Sequence, residues 1–177
     1  MDAQTELRRA YVGGGPGVAV SSFIWLIAGL VTQTKGIGPG FTVLFFGGML
    51  IYPLSKMLVR TFFSEPNESK TNPLRIIALE STIAMIGTLL ASWLLLKFDP
   101  SLVFPVAAIA VGTHYFAFRS VYGDRMFTLL AAVITALGAL EIFGSGQMGN
   151  AMIFAVAAVE AAFGAILVVR ARREARA

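Results

Sequence analysis

LRIIALESTIAMIGTLLASWLLL, residues 74–96, decides what class of protein this is. The run exceeds the roughly 20 apolar residues that a helix needs to cross a bilayer. Asn72-Pro73 precedes it and Lys97 follows it. Proline suits a helix start, because the N–H it lacks would be unpaired there anyway. One carboxylate, Glu80, lies inside the run. A carboxylate at membrane depth is costly unless it faces protein or water, so Glu80 marks a candidate site. Helical spacing puts Ala84, Gly87, Thr88 and Ala91 on the same face as Glu80. Small residues favour close helix contact in membranes, so this face is expected to point inward. Met85, Ile86, Leu89, Trp93 and Leu96 lie opposite and suit lipid.

The rest of the chain repeats the pattern. Its 177 residues are 56% hydrophobic and 14% charged, where a soluble domain carries about 25% charge. Charges cluster between apolar runs at 17–34, 41–59, 74–96, 101–118, 126–143 and 149–169. These predict an all-α, polytopic transmembrane bundle of six helices, arranged as three helical hairpins in a single membrane domain. Residues 2–12 read as a short interfacial helix, with Ala3, Leu7, Ala10 and Tyr11 on one face. Gly13-Gly14-Gly15-Pro16-Gly17 then reads as a hinge, or as a nest of backbone amides for a phosphate. No small-residue cleavage site closes the first span, so it is expected to remain in place.

Six spans put both termini on one side. That side holds Arg8, Arg9, Lys56, Arg60, Lys70, Arg75, Arg119, Arg125, Arg170, Arg172, Arg173 and Arg176, leaving only Lys35 and Lys97 opposite. By the positive-inside rule the termini are expected in the cytoplasm. The net charge of +4 therefore belongs to topology. No soluble face remains to bind nucleic acid.

Further polar residues matter within the spans or at their edges. His114 is the only histidine, five residues before Arg119, as Glu80 is five residues after Arg75. Both therefore lie about 7–8 Å from those anchors. The two helices are joined by a short turn and should be antiparallel neighbours. Glu80 and His114, with Tyr115 and Ser81 at similar depth, form the most informative constellation. It reads either as a proton- or cation-binding site or as a structural hydrogen bond between helices. Arg119 is expected to snorkel to the headgroups, or to reach back towards Glu80. Glu160 lies ten residues before Arg170, about 15 Å deep. Ala157 and Gly164 flank it, implying helix contact. Glu141 is shallower and expected to face water on the far side.

Enzyme chemistry gains little support. One histidine and no cysteine cannot build an ordinary multi-histidine or thiolate metal site, and no cofactor is implied. Gly144-Ser145-Gly146 lacks the full nucleophile-turn pattern and lies on the far side from His114.

Arg9-Ala10-Tyr11-Val12-Gly13-Gly14-Gly15-Pro16-Gly17, Phe45-Phe46-Gly47-Gly48-Met49-Leu50-Ile51-Tyr52-Pro53, and Asn72-Pro73-Leu74 with Ala78-Leu79-Glu80 carry a resemblance. Over roughly residues 8–125 the chain resembles an uncharacterised family of small bacterial multi-span inner-membrane proteins. The resemblance implies a bacterial inner-membrane location and carries over no site residue. The bilayer is the partner required, and a small-molecule or lipid ligand and a homo-oligomer are both compatible. The expected function is a small transporter or channel-like protein for a small solute, ion or amphiphile. Its polar site would use Glu80, His114 and Glu160, with Tyr115 and Arg119 beside them. The alternatives are a non-enzymatic scaffold or accessory subunit and, more weakly, a membrane-embedded enzyme acting on lipid.

Overall fold

A computed structural model describes residues 2–63, 65, 67–144 and 148–175. The turn carrying Ser145 and the tail residue Arg176 lie outside the described residues. Among those described, the protein is a multi-pass helical bundle. Helix α1 (Ala3–Ala10) is followed by six long helices: α2 (Gly15–Lys35), α3 (Ile37–Phe62), α4 (Leu74–Phe98), α5 (Val103–Tyr122), α6 (Met126–Phe143) and α7 (Ala151–Glu174). Each of the six is long and apolar enough to cross a membrane. Helices α3, α5 and α7 run several residues past the apolar cores marked in the sequence, while α6 coincides with its core. The polar ends continue the helix because its backbone bonds are made internally, whatever the side chains meet.

Local chemistry sets the boundaries. Asp2 caps α1 by accepting from Thr5 N–H at 2.7 Å. Between α1 and α2, Val12, Gly13 and Gly14 take φ of 50°, 64° and 76°. Left-handed backbone is unfavourable for a β-branched residue, so Val12 is strained there. Gly14 is doubly required, because a Cβ on it would stand 2.7 Å from the Tyr122 ring and 2.9 Å from that of Phe127. The amides of Gly14 and Gly15 donate to the Tyr11 and Val12 carbonyls. The segment is therefore a hinge, and those amides are taken. Gly36, at φ 90°, makes the turn into α3, which continues through Pro53. Gly123, at φ 67°, ends α5.

Two triplets of helices make the bundle. Helix α2 packs closely on α3 and α7, and α5 packs closely on α4 and α6. Because chain direction alternates, the triplets run in opposite senses. The first two hairpins are intimate pairs, but α7 packs on α2 more extensively than on α6. Ser22 Oγ donates to the Ala157 carbonyl at 2.7 Å across that contact.

Rings join the triplets at the end away from the termini. Phe41 meets Trp93 at 5.5 Å and Phe104 at 6.1 Å between centroids, and Phe104 meets Trp25. This cluster turns α4 opposite to expectation. Leu89 is buried, with Met85, Trp93 and Leu96 packed against the core. Glu80, Ala84, Gly87, Thr88 and Ala91 are exposed. The small-residue rule loses here because α3 and α5 present large rings, which only large side chains can fill.

Helices α5 and α6 approach closely at Gly138, where a Cβ would stand 2.5 Å from the Pro105 carbonyl oxygen and 2.9 Å from Ile109. Gly138→Val should destabilise the bundle by about 1–3 kcal/mol through overpacking. Gly48→Val, where an added Cβ meets nothing, should be neutral. The survival of monodisperse protein after heating in detergent measures both. Equal survival of the two variants would show that Gly138 does not set the α5–α6 distance.

Candidate functional site

The most enclosed polar group is Glu160. Its position nine residues into α7 is about 13–14 Å from the start of that helix, and it is 0% exposed. Small residues on both partners, Gly164 against Ala19 and Ala157 against Ser22, bring α7 close enough to α2 to enclose it. Tyr115 reaches it from α5, its hydroxyl donating to Glu160 Oε1 at 2.8 Å. Ser21 flanks both groups from α2 and is itself buried. Glu160 Oε2 has no hydrogen-bond partner among the described residues, although the Ser21 hydroxyl stands near the carboxyl. Three helices thus converge on one carboxyl group with an unused oxygen. A carboxylic acid there has a proton to give, and a carboxylate has a lone pair to offer. Burying either form unpaired is costly.

The other expected residues disperse. His114 is part-buried on α5, beside the backbone of Ser81 on α4 and edge-on to Phe118 at 4.7 Å. Its Nδ1 is buried without a partner. Glu80 follows the exposed face of α4 and makes no hydrogen bond or ion pair among the described residues. The depth match between Glu80 and His114 therefore does not become a contact: the residue adjacent to Glu80, not Glu80 itself, lies against the imidazole. Arg119 is exposed near the end of α5, lines a surface groove and makes no ion pair with Glu80 among the described residues. Glu141 does not face water. It is buried and accepts from the N–H groups of Met148 and Gly149, both at 2.7 Å, holding the turn before α7.

Sequence alone does not single out a second polar centre at the termini-bearing end. Residues 67–72, before α4, pack on α1 and α3 and bury Glu68, whose side chain is 6% exposed. Lys56 pairs with it at 2.7 Å, Tyr11 donates to it at 2.7 Å, and Arg75 stands at 3.8 Å. Lys56 also lies 4.3 Å over the Tyr11 ring. Asn72 locks the segment to α1, donating to the Ala3 carbonyl at 3.0 Å and to Glu6 at 2.9 Å. Glu6 also accepts from Ser69 N–H. Asn72 Oδ1 meanwhile accepts from Leu74 N–H and starts α4. The sequence signal is the polar Glu68…Asn72 run itself, whose partners range from Leu74 and Arg75 close by to Ala3, 69 residues away.

Two cavities flank these centres. One, of about 350 Å³, is lined by Gln4, Arg119, Ser120, Gly123 and Arg125. The other, of about 80 Å³, includes Ile37, Phe104, Glu141 and Asn150 at the opposite end. Neither is lined by Ser21, Tyr115 or Glu160.

Burial opposes ionisation of Glu68, yet the Lys56 and Tyr11 hydrogen bonds outweigh it and hold the carboxyl below its ordinary 4.5. A depressed native value stabilises the fold at pH above the ordinary value, and this stabilisation disappears as pH falls through the lowered one. Amide exchange in α1 should therefore be slow near neutral pH and accelerate on acidification below about 4.5, beyond the intrinsic exchange trend. Glu68→Gln should exchange fast throughout, with no acid step. An acid step that persisted in the variant would assign it to another carboxyl.

No curated protein and no solved structure matches this chain. A family model does, over residues 1–170, which takes in α1 and the six long helices almost to the end of α7. The chain belongs to the family of unknown function DUF7010.

Proposed function

We propose that this is a small carrier or channel-like protein of the bacterial inner membrane, with its basic end and both termini in the cytoplasm. Its cargo is a small solute, ion or amphiphile, and its polar intramembrane site is Glu160 with Tyr115 and Ser21. One observation carries this: a wholly enclosed carboxyl at mid-bundle with one oxygen unpaired. A group placed only to join helices would gain by pairing both oxygens, whereas an unused one suits a proton or cargo that comes and goes. His114, adjacent to Tyr115 and with its own unpaired Nδ1, offers a second place for a proton. The opposed triplets, α3–α2–α7 and α4–α5–α6, suit rocking about a central site, because carriers often move one helix group against another.

The test uses protons as the probe. Protein reconstituted in liposomes under an imposed potential, with a pH-sensitive dye inside, should acidify or alkalinise the lumen faster than empty vesicles. Glu160→Gln should abolish the flux while remaining monodisperse after purification. Identical flux from wild type and variant would overturn the assignment of Glu160, and wild-type flux equal to that of empty vesicles would overturn proton movement itself.

The alternative function, a structural or accessory membrane subunit, is favoured by the exposed face of α4. Glu80, Ala84, Gly87, Thr88 and Ala91 would there face lipid in a monomer. A second copy is the occupant that fits, since identical chains inserted in the same direction bring Glu80 to Glu80 at one depth and lay the small residues of one face against those of the other. The chain has no cysteine, so Gly87→Cys supplies a single thiol. Oxidation in native membranes should crosslink Gly87→Cys into dimers and leave Leu140→Cys, exposed on α6, monomeric. Dimers from both positions, or from neither, would argue against a seam on α4.

A further inference from the structure

The groove at the termini-bearing end has a composition of its own. Its wall is α1 on one side and the α5–α6 connection on the other. Gln4 fixes that wall by donating to the Ser120 carbonyl at 2.8 Å. Arg119 and Arg125 both line the groove, and neither pairs with a carboxylate among the described residues. The nearby acids are already engaged. Asp124 accepts from Met126 N–H at 2.9 Å and pairs with Arg170 at 3.2 Å. Glu174 pairs with Arg8 at 3.1 Å. Arg8 is a third cation at the rim: an atom of its guanidinium lies 3.3 Å from where a Gly123 Cβ would be, and its Nε is buried without a partner. Gly123 keeps this approach open. Two guanidinium groups, those of Arg119 and Arg125, thus line about 350 Å³, within the roughly 300–1,000 Å³ typical of small-molecule sites.

Position along the spans gives the ligand its second half. Arg119 and Arg125 stand at the ends of α5 and α6, where headgroups lie against a membrane protein. One turn towards the membrane from each is an exposed apolar residue: Phe116, 43% exposed, below Arg119, and Leu129, 51% exposed, below Arg125. Guanidinium groups bind phosphate oxygens in forked pairs. The arrangement offers cations to a phosphate and, directly beneath, an apolar track for hydrocarbon.

The geometry points to a site for one anionic phospholipid, its phosphate held by Arg119 and Arg125 between α1 and the α5–α6 connection, its chains lying along Phe116 and Leu129. Free phosphate would satisfy the cations but not the apolar track. The site is separate from Glu160 and stands whether or not that residue moves protons. It also gives α1 a role beyond capping, since α1 forms one wall of the groove.

Native mass spectrometry of the detergent-released protein tests this. Wild type is titrated with phosphatidylglycerol, with phosphatidylcholine and with inorganic phosphate. One phosphatidylglycerol should be retained in preference to phosphatidylcholine, and millimolar phosphate should not displace it. Removing two arginines near an anionic headgroup, as Arg119→Gln with Arg125→Gln, should weaken retention roughly thirtyfold. Each single variant should show an intermediate loss, so misfolding of one leaves the other informative. Arg60→Gln, an exposed arginine on α3 outside the groove, should have no effect. Equal retention by wild type and both single variants would overturn the site. Equal loss from Arg60→Gln would make it unspecific surface charge, and displacement by phosphate would make it a free-anion site.

Discussion

The contact between the first and last long helices, α2 and α7, is the constraint from which the interior follows. It is close because small side chains meet there. Gly164 lies against Ala19, and the Ser22 hydroxyl crosses to the Ala157 carbonyl. In an apolar surround, helices gain nothing from hiding hydrocarbon from hydrocarbon, so such close packing and such hydrogen bonds hold the bundle together. Bringing α7 onto α2 also turns Glu160 to the centre, within reach of Tyr115 on α5. The buried acid and its bond to a phenol of the other triplet thus share one origin.

Two polar centres of different character result. Glu68, at the termini-bearing end, is surrounded by two cations and a phenol, each oxygen engaged. It is a fastener joining α1, the α3–α4 connection and the helix ends. Glu160 has one phenol, a neighbouring serine hydroxyl and an unused oxygen, and no cation pairs with it among the described residues. Saturated coordination suits permanence, and incomplete coordination suits exchange. Chemistry is therefore best sought at Glu160, although Glu68 has more partners.

Much of this was legible in residues alone, for physical reasons. Bilayer thickness sets the length of an apolar run, and loop charge sets its direction, so the six long helices and α1 could be read without knowing any neighbour. The enclosure of Glu160 could be read from Ala157 and Gly164. Identical logic fails on α4, where Ala84, Gly87, Thr88 and Ala91 surround Glu80 yet face outward. The difference lies in the partner. Helix α2 offers α7 a matching small and hydroxylic surface, while α3 and α5 offer α4 the rings of Phe41, Phe45 and Phe104, which Trp93 and Leu89 fill. A helix face has no inherent inside, and only the opposing surface decides it. Glu68 was opaque for a related reason: its partners Tyr11, Lys56 and Arg75 come from three separate segments, whose meeting depends on the whole fold.

The α2–α7 contact bears on how the protein is made. Ser22 and Ala157 are 135 positions apart, so α2 leaves the ribosome long before its partner exists. Synthesis at about 5–20 residues per second leaves α2 waiting for many seconds. During that interval the hydroxyls of Ser21 and Ser22 must find other company, in α2's own backbone or in the insertion machinery. Contacts of such high sequence separation form late. The two early hairpins can therefore settle as they emerge, but the α3–α2–α7 triplet can close only when the last helix arrives. A ribosome that stalls before α7 would release an incomplete bundle with its central seam open, a ready target for membrane quality control.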